Sequence, residues 1–367
     1  MGTKLDVAFK FGAGRYIQEP DALQLAGGEI GRFGRHALVI GGPTALDIVR
    51  EPLRRSLCDA CVTHEFVVYP GYNTREAANH YAEYCKKNGF DVVVGVGGGK
   101  IMDLSKSIAH MAKLAVVNIP TQAATCAAYT PMSVMYTEDG AAYGTVGGNF
   151  YHDYEVSAVI IDETVMIHQP PRYAASGILD AMAKFIEVQH GHASMPFDDF
   201  NIELYTAYHL SKYTYDILKE TCLKVYDDIR EHRLTKEVHD FLFINFALTS
   251  IISGVSKAFG QTALAHEMYY CARMFFTRES LSYLHGEIVG TSLILQLYYN
   301  GTPEKIPEFR NFMKRMEMPV TLKELGIPET EENVQKIFAY LRSTAFVEDT
   351  EENQEKLMDS IRAVCEI

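Results

Sequence analysis

The sequence predicts an α/β N-terminal domain built on a parallel sheet, followed by an all-α C-terminal domain. Three observations carry this. Apolar, β-branched runs alternate at short spacing with amphipathic stretches through residues 1–165, a cluster of glycines joins one such run to a helix, and from Arg172 onward the periodicity is helical with no convincing strand. At 367 residues the chain is too long for one average domain and suits two, divided as 1–165 and 166–367 with a cleft between them.

His36–Gly41 (HALVIG) reads as a strand, stopped by Gly42 and Pro43 ahead of a helical pattern from Thr44 to Leu57. Glu65–Tyr69 is a second short strand, and Asn73-Thr74 caps a helix that runs to about Lys87. Asp91–Val96 is an unbroken β-branched run, as expected of a strand covered on both faces. A helix from Ile101 and the strand Ala115–Ile119 follow. Asp139-Gly140 is a hairpin turn, and its flanks, Ser133–Tyr136 and Gly144–Val146, predict a small antiparallel flap. Beyond Asp162 the helical stretches are Tyr173–His190, Asp199–Glu220, Lys236–Ser253, Thr262–Phe276 and Gly286–Tyr299, separated by prolines such as Pro170-Pro171, Pro196 and Pro303.

Composition excludes several function classes. Thirty-four Lys and Arg stand against 47 Asp and Glu, a net charge of −13, so phosphate backbones and anionic membranes would repel this chain. No nucleic-acid or membrane partner is expected, and no apolar run is expected to reach the ~20 residues of a membrane span. The seven cysteines are scattered, and the N-terminus has neither an apolar signal core nor the Ser or Thr that myristoylation needs, since Asp6 holds that position. This predicts a reducing, cytoplasmic setting with free thiols, Cys58 and Cys61 of the lone CxxC among them.

The chemistry-bearing features begin with Gly95-Val96-Gly97-Gly98-Gly99-Lys100, where a buried strand ends in glycines and a helix starts at once. Such a turn places unpaired N–H groups and a positive helix end beside a backbone with no Cβ in the way, which suits a pyrophosphate; a tight structural turn is the alternative. It is neither GxGxxG nor a P-loop. In the second half, Asp180, His266 and His285 each occupy an apolar helical context. Their spacing leaves two readings open: one shared metal site, or an Asp180–Lys184 pair and two hydrogen-bonded core histidines. The other histidines, His152 included, fall on charged or loop segments and are expected at the surface.

The ordered set GVGGGK-x-x-D-x-x-K (Gly95–Lys106), PTQAATCAAYTPMSV (Pro120–Val134), SGILD (Ser176–Asp180), ALAH (Ala263–His266), LHG (Leu284–Gly286) and MPVTLKELGI (Met318–Ile327) resembles the iron-containing alcohol dehydrogenase superfamily and its glycerol dehydrogenase branch. The resemblance spans nearly the whole chain. It implies a dinucleotide-binding α/β domain and a helical domain, the architecture also used by dehydroquinate synthase, with NAD or NADP and a divalent metal meeting in the cleft. Carried over by position, Gly97, Gly98, Gly99, Lys100 and Asp103 would hold the cofactor's phosphates and ribose, with Gly42 beside the ribose. Thr121, Thr130, Met132 and Tyr136 would line the rest of its pocket. Asp180, His266 and His285 would be the metal ligands, with Cys126, Lys184 and His266 bordering a small-molecule substrate. Homo-oligomers, from dimers to octamers, are usual in the family.

Three departures from the family pattern sharpen the expectation. Lys184 stands where iron-dependent members place a further histidine, so an open Asp/His/His set favours zinc over iron. Cys126 replaces an aspartate that would accept from a diol and repel an acid; with Lys184 this favours a 2-hydroxy acid/2-oxo acid pair over glycerol or a vicinal diol. Gly42 replaces the aspartate that selects NAD, so NADP is expected to be accepted. A lyase of the dehydroquinate synthase kind is the remoter alternative.

Overall fold

A computed structural model describes residues 9–144, 148–194, 202–256 and 261–365. Six strands form one parallel sheet: β1 (Tyr16–Glu19), β2 (His36–Gly41), β3 (Thr63–Val68), β4 (Val92–Gly97), β5 (Ala115–Pro120) and β8 (Ala158–Asp162), in the order β1-β8-β5-β4-β2-β3. The register pairs Val39 with Val94 and Val94 with Val117, and every residue of β4 is buried. That explains the unbroken β-branched run, because helices cover both faces of a parallel sheet. The edge strand β1 and its neighbour β8 extend the expected sheet; β1 is short and half-buried and carries little apolar signal.

Chain order reverses direction between β2 and β4, which pair directly, Gly41 opposite Val96. A crevice opens at the carboxyl ends of the strands at such a switch point, and Gly42 and Gly97 both lie there. The helices Pro43–Asp59, Arg75–Asn88 and Gly99–Ala112 fall where the sequence predicts them, the second capped by the Thr74 side chain at the Ala77 N–H.

In the flap, β6 (Met132–Val134) pairs antiparallel with β7 (Asn149–Tyr151). Of the expected strand Gly144–Val146, Thr145 and Val146 lie outside the described residues. The Asp139-Gly140 turn is present, with Gly140 at φ 85° and a bridge from Tyr136 to Ala142.

After Asp162 the described residues are helical. Pro171–Val188, Ile202–Arg230, Leu264–Phe275 and His285–Tyr299 surround a shared apolar core. Asp199 to Asn201, the start of one expected helix, and Pro196, the break before it, lie outside the described residues. Lys236–Phe243 continues through a π turn, Ile244–Leu248, into Thr249–Val255. By length and composition this continuous stretch, Lys236–Val255, could cross a membrane, contrary to the expectation of no such run; 61% of the tested window is buried inside the fold.

Candidate metal and nucleotide site

Three helices deliver one ligand group each to a single point. Asp180 lies mid-way along Pro171–Val188, His266 in the first turn of Leu264–Phe275 and His285 at the start of His285–Tyr299. Glycine lets the first and third helices approach closely: a Cβ on Gly286 would lie 1.9 Å from the Ser176 carbonyl oxygen, and one on Gly290 would lie 2.5 Å from Leu179. The Gly286 N–H donates to Ser176 Oγ at 3.1 Å. At the same crossing, Arg172 donates through Nε and Nη2 to both oxygens of Glu287, each at 2.6 Å, and Glu287 also accepts from the Leu284 N–H.

The result is a cluster in which one ligand atom from each of Asp180, His266 and His285 lies within 4.8 Å of the others. Asp180 Oδ1 is 3.4 Å from His266 Nε2 and 3.6 Å from His285 Nε2, and this buried oxygen has no hydrogen-bond partner. Those spacings are too long for hydrogen bonds and suit three donors turned toward a common cation. Burial pushes the Asp180 carboxyl up, but Lys184 and the two imidazoles outweigh it and hold it well below the usual range.

Glu187, two turns beyond Asp180 on the same helix, organises His266. Its carboxylate accepts from the backbone N–H of Ala263 (2.7 Å) and His266 (2.9 Å) and bonds His266 Nδ1. A carboxylate on Nδ1 fixes the ring and leaves Nε2 as the ligand atom, the usual outer partnership of a metal-bound histidine. The signal for Glu187 in the sequence is its seven-residue offset from Asp180, which keeps the two on one helix face. Lys184 is not a solvated helix lysine but is 4% exposed, with Nζ 3.2 Å from His266 Nε2 and 3.7 Å from Asp180 Oδ1. The Asp180–Lys184 pair and the shared cluster are therefore both present.

The loop after β5 borders this point. Ala123 N–H donates to Gln169, Ser176 Oγ to the Ala124 carbonyl, and Asn245, on the π turn, to the Thr125 carbonyl. Cys126 is half-buried on this loop, its thiol pushed up by burial and by Asp180 and drawn down by Lys184. The Thr130 hydroxyl meets Ser250 Oγ at 2.7 Å.

On the sheet side, Gly97 has φ 149° and caps nothing; Gly98 precedes the Gly99–Ala112 helix, and a Cβ there would meet the Gln122 amide. The Thr121 N–H donates to the Gly97 carbonyl, and Gly42 is extended, with nothing within 4 Å of a Cβ. A helix N-terminus, three glycines and an open Gly42 thus meet at the switch point. Other expected cofactor residues are placed differently. Asp103 is buried, paired with Lys106 at 2.9 Å and accepting from the Val134 N–H. Lys106 also donates to the carbonyls of Ala127, Thr130 and Met132, tying that loop and β6 to the helix. Lys100 Nζ lies 3.8 Å over the Tyr72 ring. The Tyr136 hydroxyl bonds the Tyr269 hydroxyl at 2.7 Å, and the Tyr269 ring stands edge-on to His285, with centroids 4.3 Å apart. Tyr136 therefore links the flap to the metal side. His152, expected at the surface, is buried, with Nε2 2.8 Å from Ser133 Oγ.

Comparison with known proteins agrees with this geometry. Residues 13–160 match the family model of the iron-containing alcohol dehydrogenases. A glycolaldehyde reductase of Halobacterium salinarum is 27% identical over 86% of this chain and 85% of its own. A glycerol dehydrogenase of Pseudomonas putida is 27% identical over 86% and 84%, and hydroxycarboxylate dehydrogenase A of Escherichia coli is 26% identical over 68% and 67%. The crystal structure of a probable glycerol dehydrogenase from Sinorhizobium meliloti has the same fold, with a TM-score of 0.81 at 21% identity over 97% of both chains. Fold, site and relatives define an oxidoreductase of the alcohol dehydrogenase type. Within that class, the chain resembles the iron-containing alcohol dehydrogenases, whose family model matches residues 13–160.

Proposed function

We propose that this protein transfers a hydride between a nicotinamide nucleotide and a small hydroxy compound, foremost a 2-hydroxy acid/2-oxo acid pair. One observation carries the choice of acid: a buried ammonium, Lys184 Nζ, lies beside the metal-ligand cluster, 3.2 Å from His266 Nε2. A cation there attracts a carboxylate attached to the reacting carbon, and Cys126 supplies no opposing charge of the kind an aspartate would.

Asp180, His266 and His285 would hold the divalent cation, zinc by the chemistry of an Asp/His/His set with open positions. Such an ion supplies Lewis acidity at the substrate's oxygen, and the bound nucleotide supplies or accepts the hydride. The chain's own contributions follow from its contacts. Glu187 orients His266 through Nδ1, and the Arg172–Glu287 pair holds the start of the His285 helix. The Tyr136–Tyr269 hydroxyl bond and the Tyr269 ring tie the flap to His285. The glycines at the switch point leave room for the nucleotide's phosphates, and Gly42 leaves its ribose side without an anion, which supports NADP as an accepted cofactor.

Steady-state kinetics of zinc-loaded protein with 2-oxo acids against dihydroxyacetone, and with 2-hydroxy acids against glycerol, test the assignment. A higher kcat/KM for the acids is expected. A preference for the polyols would establish the second reading, a glycerol or vicinal-diol dehydrogenase, which the names of several relatives favour.

A further inference from the structure

Arg273 lies two turns beyond His266 on Leu264–Phe275, so His266, Tyr269, Tyr270 and Arg273 share one helix face. Its side chain is 6% exposed. Nη2 donates to the Tyr283 carbonyl at 2.8 Å, two residues before His285, while Nε and Nη1 are buried without a hydrogen-bond partner. Among the described residues no carboxylate forms an ion pair with it. The guanidinium carbon is 5.6 Å from the Tyr269 ring centre, itself 4.3 Å from the His285 ring centre, so the cation is no more than about 10 Å from that ligand, the two spacings added. The flap covers this region: Gly140 approaches Leu281, Gly144 approaches Met274, and the Tyr136 hydroxyl feels the Arg273 charge.

A guanidinium is always charged, and burying it with donors unpaired is costly unless an anion completes it. Within the fold the charge meets the Tyr269 ring, and the bond to the Tyr283 carbonyl could be made by a neutral donor, so two donors stay unmatched. We propose that Arg273 binds an anionic group of the substrate remote from the reacting carbon, making the preferred substrate a 2-oxo or 2-hydroxy acid that carries a second carboxylate. This rests on the proposed function above. Lys184, beside His266, would take the carboxylate next to the reacting carbon, and Arg273, beyond Tyr269 from His285, the distal one. The shared chemistry, an oxyanion, could instead come from the nucleotide's phosphates, and the test separates the two sources.

Full-length zinc-loaded protein and its Arg273→Met and Arg273→Lys variants are titrated calorimetrically with succinate and, separately, with NADPH. Thermal melting and KM for a four-carbon 2-oxo diacid, a 2-oxo monoacid and dihydroxyacetone are measured alongside. Succinate binding at least tenfold weaker in Arg273→Met and partly restored in Arg273→Lys is expected. KM should rise for the diacid alone, with Tm not lowered. Wild-type protein that fails to bind succinate, or variants that bind it equally well, overturn the inference. A loss confined to NADPH assigns the oxyanion to the nucleotide and overturns the substrate assignment. A lowered Tm with all substrates impaired together makes Arg273 a structural strut. A preference for polyols by the wild type defeats the proposed function itself, a result visible before any variant is made.

Discussion

Replacing Gly286 by alanine should disable metal binding without touching a ligand. The added Cβ would lie 1.9 Å from the Ser176 carbonyl oxygen, where real contacts essentially never fall below about 3.0 Å, so the two helices must separate by roughly 1 Å. Both are buried along most of their length, and neither can yield into solvent. Overpacking of this kind costs about 1–3 kcal/mol, a melting shift of a few degrees in a chain of this size. The larger consequence is geometric. Metal–ligand distances tolerate about 0.2 Å, and His285 adjoins the substituted residue while Asp180 is one turn from Ser176, so a shift of ~1 Å removes one ligand from the set. Zinc affinity, measured by competition with a chromophoric chelator, should fall by at least about tenfold, the scale seen when outer partners of metal ligands are disturbed. Gly42→Ala is the control, since Gly42 is extended with open space around its Cβ position. Should Gly286→Ala keep wild-type melting and zinc affinity, the close helix crossing does not set the ligand geometry and the reasoning fails.

Other outcomes are equally specific. Glu187→Gln keeps the shape but weakens the hold on His266 Nδ1, and should lower zinc affinity roughly 10–100-fold in the same competition assay; unchanged affinity would detach Glu187 from the site. Gly42→Asp should move the NADPH-to-NADH ratio of kcat/KM toward NADH by at least about tenfold, because the carboxylate accepts from a ribose hydroxyl and repels a 2′-phosphate; an unmoved ratio would place the ribose elsewhere. His152 is held neutral first by burial and then by the nearby Lys106, His110 and Lys10, with its pKa lowered to about 2. Its folded pKa lies below the unfolded value near 6.5, so its contribution is fully present above pH ~6.5 and is lost as pH falls, by about 1.4 kcal/mol per unit. Between pH 7.5 and 5.5 the loss from this group totals about 1.4 kcal/mol, so urea unfolding at those two pH values should show a drop larger by about that amount in the wild type than in His152→Asn; equal drops would contradict it.

Much of this protein was legible without coordinates because it rests on local rules. A strand covered on both faces must read as an unbroken apolar run, as Val92–Gly97 does, and a helix that follows glycines at once, as Gly99–Ala112 does, declares its turn through residues no other position requires. Asp180, His266 and His285 were visible as polar groups in apolar helices, and the structure brings them together. The flap pairing was not legible, since β6 and β7 are three residues each and local alternation cannot choose a partner strand. Nor were the partners of charged side chains: Asp103 in the glycine-turn helix pairs with Lys106, and Lys184, three residues before Glu187, is buried against His266. Periodicity records which face of a helix is apolar, but the partner of a buried charge comes from another element, placed by packing alone. Arg273 is the clearest case. In sequence it is an ordinary arginine near a helix end; only the assembled helices and flap enclose it with two donors unmet.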